Sequence, residues 1–236
     1  MGARTPILDA YDELRRTAAE AGFQRRALET AVLHYPLAGS SGFVSYSRNA
    51  TDLIDAVIAE YEQRGCDFEW KVYSHDEPSD LKDRLGARGF EVGAAEELMV
   101  LALADARAWI DAERAFRIES GSAALAAFLE LQRGGVELQD PERDVPYVAY
   151  EDGAPAACAR ATYPEGFAFA GLWSGFTRPE SRGRGLYRAL VAVRAREAAD
   201  RGYEYVTVDA QPTSRPILER LGFRRVATTW PCRWTR

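Results

Sequence analysis

The chain contains few of the residues from which disulfide frameworks and metal sites are built. Among its 236 residues there are only three cysteines and two histidines. Cys66, Cys158 and Cys232 are too few and too scattered for a disulfide framework or a C-x-x-C metal site, so we expect them to be buried thiols. No cluster of histidine, cysteine and carboxylate residues has ligand spacing, and the sequence therefore predicts no bound metal.

The sequence also lacks a long apolar run and an excess of basic residues. No stretch approaches the roughly 20 apolar residues that span a bilayer, and the first residues lack a signal-peptide core. The 30 Lys and Arg residues are outnumbered by 36 Asp and Glu residues, whereas a nucleic-acid-binding protein normally presents an extended basic face. These absences predict a cytoplasmic protein with no membrane and no nucleic-acid partner. A homodimer is left open.

A glycine-rich segment is the most informative feature that is present. Residues Arg182 to Tyr187 read Arg-Gly-Arg-Gly-Leu-Tyr; they follow a strand predicted over Phe167 to Thr177 and open a helix predicted to reach Arg201. At such a junction the first amides of the helix lack partners, and the positive end of the helix dipole lies behind them. Glycine tolerates positive φ and lets a ligand approach the backbone closely. The segment therefore predicts a binding site for phosphate groups.

The same region is rich in arginine. Residues 178–201 contain seven arginines and only three acidic residues, although the whole chain has a formal net charge of -6. A basic stripe on an acidic protein suggests a specific anionic ligand. The alternative is that these arginines only solvate one face of a helix.

The elements that follow the glycine segment come in a familiar order. They are a stop at Gly202, a short strand over Tyr203 to Asp209, a turn that contains proline, and a short helix before the Leu-Gly-Phe sequence at 221–223. With the preceding strands and the glycine segment, this order resembles the GNAT (Gcn5-related) N-acetyltransferase family over about 145–223. The resemblance implies an α/β (α+β) fold with a mixed, mostly antiparallel central sheet flanked by helices. It also implies acetyl-CoA as cosubstrate, without a metal.

The resemblance assigns cofactor binding to two segments. In the family, an Arg/Gln-x-x-Gly-x-Gly/Ala loop binds the pyrophosphate of acetyl-CoA. Here that loop comprises Arg182, Gly183, Arg184, Gly185, Leu186 and Tyr187, the last of which departs from the small residue of the pattern. The pantetheine arm would pair with the backbone of Gly175, Phe176 and Thr177, where two strands splay apart. Glycine inside a strand predicts a β-bulge at 173–175, with a plain structural kink as the alternative.

Acyl transfer to an amine also requires proton transfer. Many family members place a tyrosine ahead of the Gly-Phe sequence as general acid for the leaving thiolate, but this chain has Leu218 there. Ser214 lies four residues earlier, on the same helical face, and is the candidate catalytic acid. The alternatives are an N-cap role for Ser214 and protonation by water. Asp209, at the end of its predicted strand, is a candidate base or a turn cap.

The N-terminal half repeats the order of elements in the C-terminal half. In each half, a helix that ends in Arg-Gly leads to a strand, a turn and a helix that stops at Gly-Phe. Between a strand at Gly42 to Ser47 and a helix at Thr51 to Arg64, however, no glycine loop occurs. We therefore interpret 1–105 as a degenerate GNAT-like domain and 106–236 as the acetyl-CoA-binding GNAT domain. Chance recurrence of helix-strand-helix units is the alternative.

These features together predict an N-acetyltransferase. It would transfer an acetyl group from acetyl-CoA to a primary amine, on a small molecule or a peptide, by direct attack, because no Cys or Ser has a triad-like context. A non-catalytic acyl-CoA-binding module or sensor is the alternative from a different class, since the usual tyrosine is missing. A third alternative is a structural protein whose fold contributes only an interface. The fold and the loop identify neither the acceptor nor the preferred acyl chain.

Overall fold

The computed structural model describes residues 5–20, 22–39, 41–112, 116–133, 138, 140 and 142–236. Contacts divide the chain into two compact units, one of Met1–Leu98 together with Arg225–Arg236 and one of Met99–Arg224. The C-terminal strand is therefore grouped with the first unit. A division of the chain at a single point in the sequence would instead have placed this strand in the second unit. Residues 104–108, where the sequence places the boundary, lie inside a helix.

The described helices and strands follow one another along the chain with short connections. In order they are α1 (Pro6–Thr17), β1 (Phe23–Ala27), β2 (Ala31–Pro36), β3 (Ser41–Ser47), α2 (Ile54–Gln63), β4 (Asp67–Tyr73), α3 (Leu81–Ala87), β5 (Glu91–Val92), β6 (Glu96–Ala102), α4 (Leu103–Ala112), β7 (Arg117–Ser120), α5 (Ser122–Leu131), β8 (Asp144–Glu151), β9 (Ala154–Thr162), β10 (Phe169–Thr177), α6 (Leu186–Asp200), β11 (Tyr205–Ala210), α7 (Arg215–Arg220) and β12 (Arg224–Trp234). Turns of 3-10 helix at Thr51–Leu53 and Pro179–Ser181 precede α2 and α6.

The first unit contains a mixed sheet in the order β1, β2, β3, β4, β12, with the short β5 also paired to β12. The pairs β1–β2, β2–β3 and β4–β12 are antiparallel, whereas β3 and β4 are parallel. The crossover between the parallel strands is made by α2. Its buried residues Ile54, Val57 and Tyr61 join a cluster that includes Phe68 and Trp70 of β4.

The second unit contains a mixed sheet in the order β11, β10, β9, β8, β7. The strands β7 to β10 pair antiparallel, and β10 pairs with β11 in parallel. The crossover between these parallel strands is made by α6, which begins directly after the glycine segment. Each unit thus has three consecutive antiparallel strands, a helix, and a strand parallel to the third.

Helices cover both faces of the second sheet. Successive strand residues point to opposite faces, so Tyr147 packs in the cluster with α6 while Val148 packs with Phe128 of α5. On α6, Leu186 and Leu190 are fully buried and Val193 packs against the same cluster. This packing holds α6 on the sheet and fixes where its first turn lies.

All three cysteines are buried and unbonded to one another, as the sequence predicts. Burial raises the pKa of the Cys158 thiol and raises that of Cys232 to about 12, so neither thiol ionises readily near neutral pH. Within the described ranges, no helix combines the length and apolarity that a membrane crossing requires.

Truncation of a buried α6 side chain tests the packing that positions the glycine segment. Leu190 is 0% exposed, so Leu190→Ala should lower the free energy of unfolding by about 2 to 5 kcal/mol, from lost burial and the cavity left behind. Leu125 of α5 is 36% exposed and provides the control. Urea denaturation measures both, and equal losses for Leu190→Ala and Leu125→Ala would contradict this packing.

Candidate active site

The glycine segment forms a short connection between the end of β10 and the start of α6. Gly183 and Gly185 have φ of 77° and 94°, in the left-handed region where a side chain is strained. Gly185 is the N-cap residue of α6. No described atom lies within 4 Å of a Cβ built on Gly183. The glycines are therefore required by backbone conformation, and the space beside Gly183 is open.

The backbone amides of this segment have no acceptors among the described residues. In the described part of the chain, none of the amides of residues 183–187 donates to a backbone or side-chain oxygen, whereas the amide of Ala189 donates to the carbonyl of Gly185. Consecutive unpaired amides at the start of the 15-residue helix α6 combine with its dipole to favour an anion. This geometry is suited to a phosphate or pyrophosphate group.

Glu151, the last residue of β8, holds this segment in place. Its Oε2 accepts a hydrogen bond from Ser181 Oγ at 2.8 Å, and its Oε1 lies 2.9 Å from Arg184 Nη1. The hydrogen bond from Ser181, aided by Arg184, holds the pKa of Glu151 below its usual value. The carboxylate therefore stays ionised at neutral pH and restrains the connection on both sides of Gly183.

The seven arginines of residues 178–201 do not form one basic surface. Arg182 is exposed and its Nε donates to the carbonyl of Thr177 at 3.3 Å, so it stays beside the segment. Arg194 is buried under the sheet, and Arg201 pairs with Glu197 at 2.6 Å. The basic stripe expected from the sequence is therefore wrong for the second half of α6. Of the seven arginines, Arg182 and Arg184 belong to the connection that carries the unpaired amides.

The strands β10 and β11 separate at the end nearest α6. Their parallel pairing ends at Gly171 and Thr207, although β10 continues to Thr177 and β11 to Ala210. The other edge of β10 remains paired with β9, where Phe176 and Thr177 oppose Cys158 and Ala157. A gap with backbone groups of β10 along one side thus opens where the sequence predicts that two strands splay.

A bulge lies within the same part of β10. The register between β9 and β10 shifts between Trp173 and Phe176, and Ser174 has a φ of 53°. The irregularity predicted at 173–175 is confirmed. Bulged residues leave the ladder, so backbone amides here can serve a ligand rather than the sheet.

Two side chains from opposite faces hold the bulge. The buried guanidinium of Arg194 donates through Nη1 to the carbonyl of Arg160 at 3.0 Å and approaches that of Trp173 at 3.5 Å. From α5, Gln132 Nε2 donates to the carbonyl of Ser174 at 2.7 Å. The bulge carbonyls are thereby fixed on both sides of the sheet, which limits how its amides can reorient.

Tyr187 lies against the bulge. A Cβ built on Gly175 would be 3.1 Å from Tyr187 Cε2, so the aromatic ring occupies the space that a side chain at 175 would need. The Ser214 side chain lies near the phenol, although its Oγ donates to the carbonyl of Gln211. Burial raises the pKa of the Tyr187 phenol above its ordinary value, against the opposing influences of Arg194 and Ser214. The phenol is therefore protonated at neutral pH.

The catalytic candidates named from the sequence lie in different settings. Ser214 occupies the N-cap position of α7, but its side chain makes no capping hydrogen bond; Oγ donates instead to the carbonyl of Gln211 at 3.2 Å. Leu218 is fully buried in the core, so the family's usual tyrosine position carries no acid. Asp209 lies in β11 beyond the last residue paired with β10 and is partly buried.

Sequence reasoning missed Glu151, Arg194 and Gln132, although each holds part of this site. Each holds the site through a contact with a residue at least 21 positions away: Arg194 with Trp173, Gln132 with Ser174 and Glu151 with Ser181. The one signal for Arg194 was its place on the apolar face of α6, at four residues from Leu190. An arginine at such a position indicates a buried contact.

The corresponding connection of the first unit differs in its hydrogen bonds. The amide of Arg48 donates to the carbonyl of Thr30 at 2.8 Å, and that of Asn49 to the carbonyl of Glu77 at 2.6 Å. Two of the amides between β3 and α2 are therefore satisfied within the protein. They are not available to an anion.

The space beyond the paired part of β3 and β4 in the first unit is crossed by Arg15 of α1. Pairing of these strands ends at Val44 and Trp70. The buried Arg15 donates through Nε to the carbonyl of Ser45 at 3.0 Å, and its guanidinium carbon lies 3.6 Å from the centre of the Tyr73 ring. It also pairs with two buried carboxylates, those of Asp12 and Asp76.

No group of three or more His, Cys, Asp or Glu residues in the described ranges is arranged to hold a metal ion.

Part of the chain matches a known protein family. Residues 108–223 match the model of the acetyltransferase (GNAT) family, a span that includes the glycine segment, the bulge and α7. No curated protein matches the chain significantly.

Solved structures match the chain over nearly its whole length. A GCN5-related N-acetyltransferase from Kribbella flavida is 15% identical with a TM-score of 0.69, over 96% of this chain and 93% of that one. A tandem GNAT protein from the clavulanic acid biosynthesis pathway is 14% identical with a TM-score of 0.57, over 95% and 87%. A GCN5-related N-acetyltransferase-like protein from Streptococcus suis 89/1591 is 18% identical with a TM-score of 0.58, over 90% and 88%.

These matches establish that the chain has the GNAT fold, a mixed sheet flanked by helices. Beyond the fold, the resemblance to the GNAT acetyltransferase family rests on the match of residues 108–223 to its model.

Removal of the Gln132 amide should loosen the bulge. Gln132→Leu leaves the Ser174 carbonyl without its donor, and an unpaired group of this kind costs about 1 to 3 kcal/mol. We expect faster amide hydrogen exchange in a peptide that contains 173–177. Gln63→Leu, at an exposed position of α2, is the control. Unchanged exchange in Gln132→Leu would show that this hydrogen bond does not restrain the bulge.

Proposed function

We propose, on the premise of the GNAT fold and the family match, that the second unit binds acetyl-CoA and transfers its acetyl group to a primary amine. The observation that carries the proposal is the run of unpaired amides at residues 183–187, directly before and within the first turn of α6. A coenzyme pyrophosphate supplies the anionic oxygens that these donors lack. Arg182, exposed beside the segment, adds positive charge, whereas Arg184 is already paired with Glu151.

The pantetheine arm would lie in the gap between β10 and β11. Backbone groups of Gly175, Phe176 and Thr177 border this gap, because β10 has no pairing with β11 beyond Gly171. An extended arm that carries amide groups can pair with such a strand edge as a further strand would. This placement brings the thioester end of the arm to the bulge.

The bulge supports direct attack by the amine on the thioester carbonyl. The tetrahedral intermediate carries negative charge on oxygen, and a fixed backbone amide at 174–176 is a suitable donor to it. Arg194 and Gln132 hold the neighbouring carbonyls, so this donor is oriented before the substrate binds. No covalent acyl-enzyme intermediate is required.

The acceptor amine must lose a proton before it attacks. An alkyl ammonium with a pKa near 10 is neutral only about one-thousandth of the time at pH 7, a cost of roughly 4 kcal/mol. We assign Asp209 as the candidate base or the group that orients one, since it lies on β11 beyond the paired region. Ser214 remains a candidate in proton transfer to the leaving group. The acceptor class, a small molecule or a peptide amine, and a cytoplasmic location are parts of the same proposal.

We interpret the first unit as a degenerate GNAT-like domain. In its favour, the unit has three antiparallel strands, a helix and a parallel strand in the order found in the second unit. The amides of Arg48 and Asn49 are bonded internally, and Arg15 connects the strands beyond their paired part. Both features favour the interpretation that the first unit binds no cofactor.

A non-catalytic acyl-CoA sensor is the second candidate function. The observation in its favour is Leu218, fully buried where family members carry the tyrosine acid. Incubation of the protein with acetyl-CoA and a panel of primary amines, with free thiol release as the readout, separates the two functions. Thiol release that depends on an amine supports the enzyme. Cofactor binding without release for any amine supports the sensor.

A charge placed in the amide segment should abolish cofactor binding. Gly185→Glu puts a carboxylate where the pyrophosphate would bind, and we expect the affinity for acetyl-CoA to fall at least a hundredfold. Gly202→Glu is the matched control, because Gly202 has a φ of 89° against 94° for Gly185 and lies at the other end of the same helix. Both variants carry similar backbone strain, of about 1 to 2 kcal/mol.

Isothermal titration calorimetry with acetyl-CoA measures this difference. Gly202→Glu should bind within about threefold of the unmodified protein. Normal binding by a folded Gly185→Glu variant would rule out the glycine segment as the pyrophosphate site. No binding by the unmodified protein would instead favour a purely structural role for the fold.

A further inference from the structure

Two residues of the second unit depart from the family pattern in opposite ways. Position 187 carries a tyrosine where the loop pattern ends in glycine or alanine, and position 218 carries a leucine where a tyrosine acid is usual. Leu218 is 0% exposed and packed in the core, so it supplies no proton. The tyrosine hydroxyl that is missing at position 218 of α7 has a counterpart in Tyr187 of α6.

Tyr187 contacts both sides of the gap between β10 and β11. Its ring lies against Gly175, which is on β10 beyond the last pair with β11. Its hydroxyl lies near Ser214, in the connection that leads from β11 to α7, and Ser214 Oγ donates to the carbonyl of Gln211. Ser214 lies one helical turn before Leu218.

We propose that Tyr187 is the proton donor to the departing coenzyme thiolate, and that Ser214 positions its hydroxyl. This inference rests on the proposed acyl transfer and adds to it the identity of the acid. The acid reaches the gap from the first turn of α6, beside the bulge, instead of from α7.

The protons and bonds of this step balance. The amine nitrogen forms a bond to the thioester carbonyl carbon, and the carbon–sulfur bond breaks with its electron pair left on sulfur. The Tyr187 phenol gives its proton to that sulfur. The phenolate then takes up the proton that the attacking nitrogen releases, carried by the Ser214 hydroxyl or water. The products are the amide and the free coenzyme thiol, with the phenol restored.

The surroundings of the phenol suit both of its states. Burial keeps the resting phenol protonated, whereas Arg194 and Ser214 favour the phenolate that forms in the step. Arg194 belongs to α6 itself, and Ser214 to the connection packed against it. A thiol with a pKa near 8.5 leaves as a thiolate at pH 7 with a penalty of only about 2 kcal/mol, so a general acid gains at most about thirtyfold.

Tyr187→Phe tests the proposal, because it keeps the ring and removes only the hydroxyl. Hydroxylamine is the acceptor probe, since it is small, neutral at pH 7 and independent of the natural acceptor. We expect the kcat for thiol release from acetyl-CoA to fall about tenfold to thirtyfold, while the KM for acetyl-CoA and its Kd by calorimetry stay within threefold. Tyr203→Phe, which removes a phenol bonded to the Pro164 carbonyl elsewhere in the unit, should leave kcat within twofold.

Ser214→Ala separates positioning from proton donation. We expect a loss in kcat smaller than tenfold, and no further loss when it is added to Tyr187→Phe, because both variants remove parts of one interaction. Additive losses would show that Ser214 acts independently of Tyr187 and would overturn its assigned role.

Two other outcomes overturn the inference in distinguishable ways. A Tyr187→Phe variant as fast as the unmodified enzyme shows that water or another group protonates the thiolate, and the proposed acyl transfer stands. A Tyr187→Ala variant that binds acetyl-CoA at least tenfold more tightly shows that the ring obstructs the cofactor site. An unmodified protein that binds acetyl-CoA but releases no thiol to hydroxylamine or to any amine contradicts the proposed function, and the inference with it.

Discussion

The unpaired amides at residues 183–187 are the constraint on which the rest of the second unit depends. A helix start leaves such donors in every protein, and most are satisfied by a capping side chain; Gly185 has none to offer. The burial of Leu186 and Leu190 fixes α6 on the sheet, and Glu151 fixes the preceding connection through Ser181. The donors are thus held in place by packing and charge, while their own hydrogen bonds remain for a ligand.

The bulge in β10 explains why an arginine is buried beneath this strand. An unpaired cation in a protein interior is costly, but Arg194 donates to three carbonyls, those of Leu190, Arg160 and Trp173. Two of these belong to strands at the bulge, whose altered register leaves carbonyls without ladder partners. The cation therefore satisfies the acceptors that the bulge creates. In doing so it also places positive charge near Tyr187, in the part of the site where an oxyanion and a thiolate would form.

Features governed by local chemistry could be predicted from the sequence, and features governed by distant contacts could not. The glycine segment, the bulge at 173–175 and the apolar face of α6 each follow from neighbouring residues, and the structure has them. Glu151 and Gln132 reach the site only through the pairing of β8, β9 and β10, which no local pattern specifies. The grouping of Arg225–Arg236 with the first unit depends likewise on the pairing of β12 with β4. The roles of Ser214 and Asp209 stay predictions.

The two units show that the arrangement of strands does not by itself create a binding site. Both have a helix that connects parallel strands, yet the amides before that helix differ: those of residues 183–187 have no acceptor among the described residues, whereas two amides of the first connection do. In the first unit, the amides of Arg48 and Asn49 donate to backbone carbonyls, and Asn49 reaches a φ of 52° without glycine. Arg15 satisfies the Ser45 carbonyl beyond the paired strands and neutralises buried carboxylates there. A ligand at Arg48 and Asn49 would have to break existing hydrogen bonds to bind, whereas residues 183–187 offer it amides that have no acceptor among the described residues.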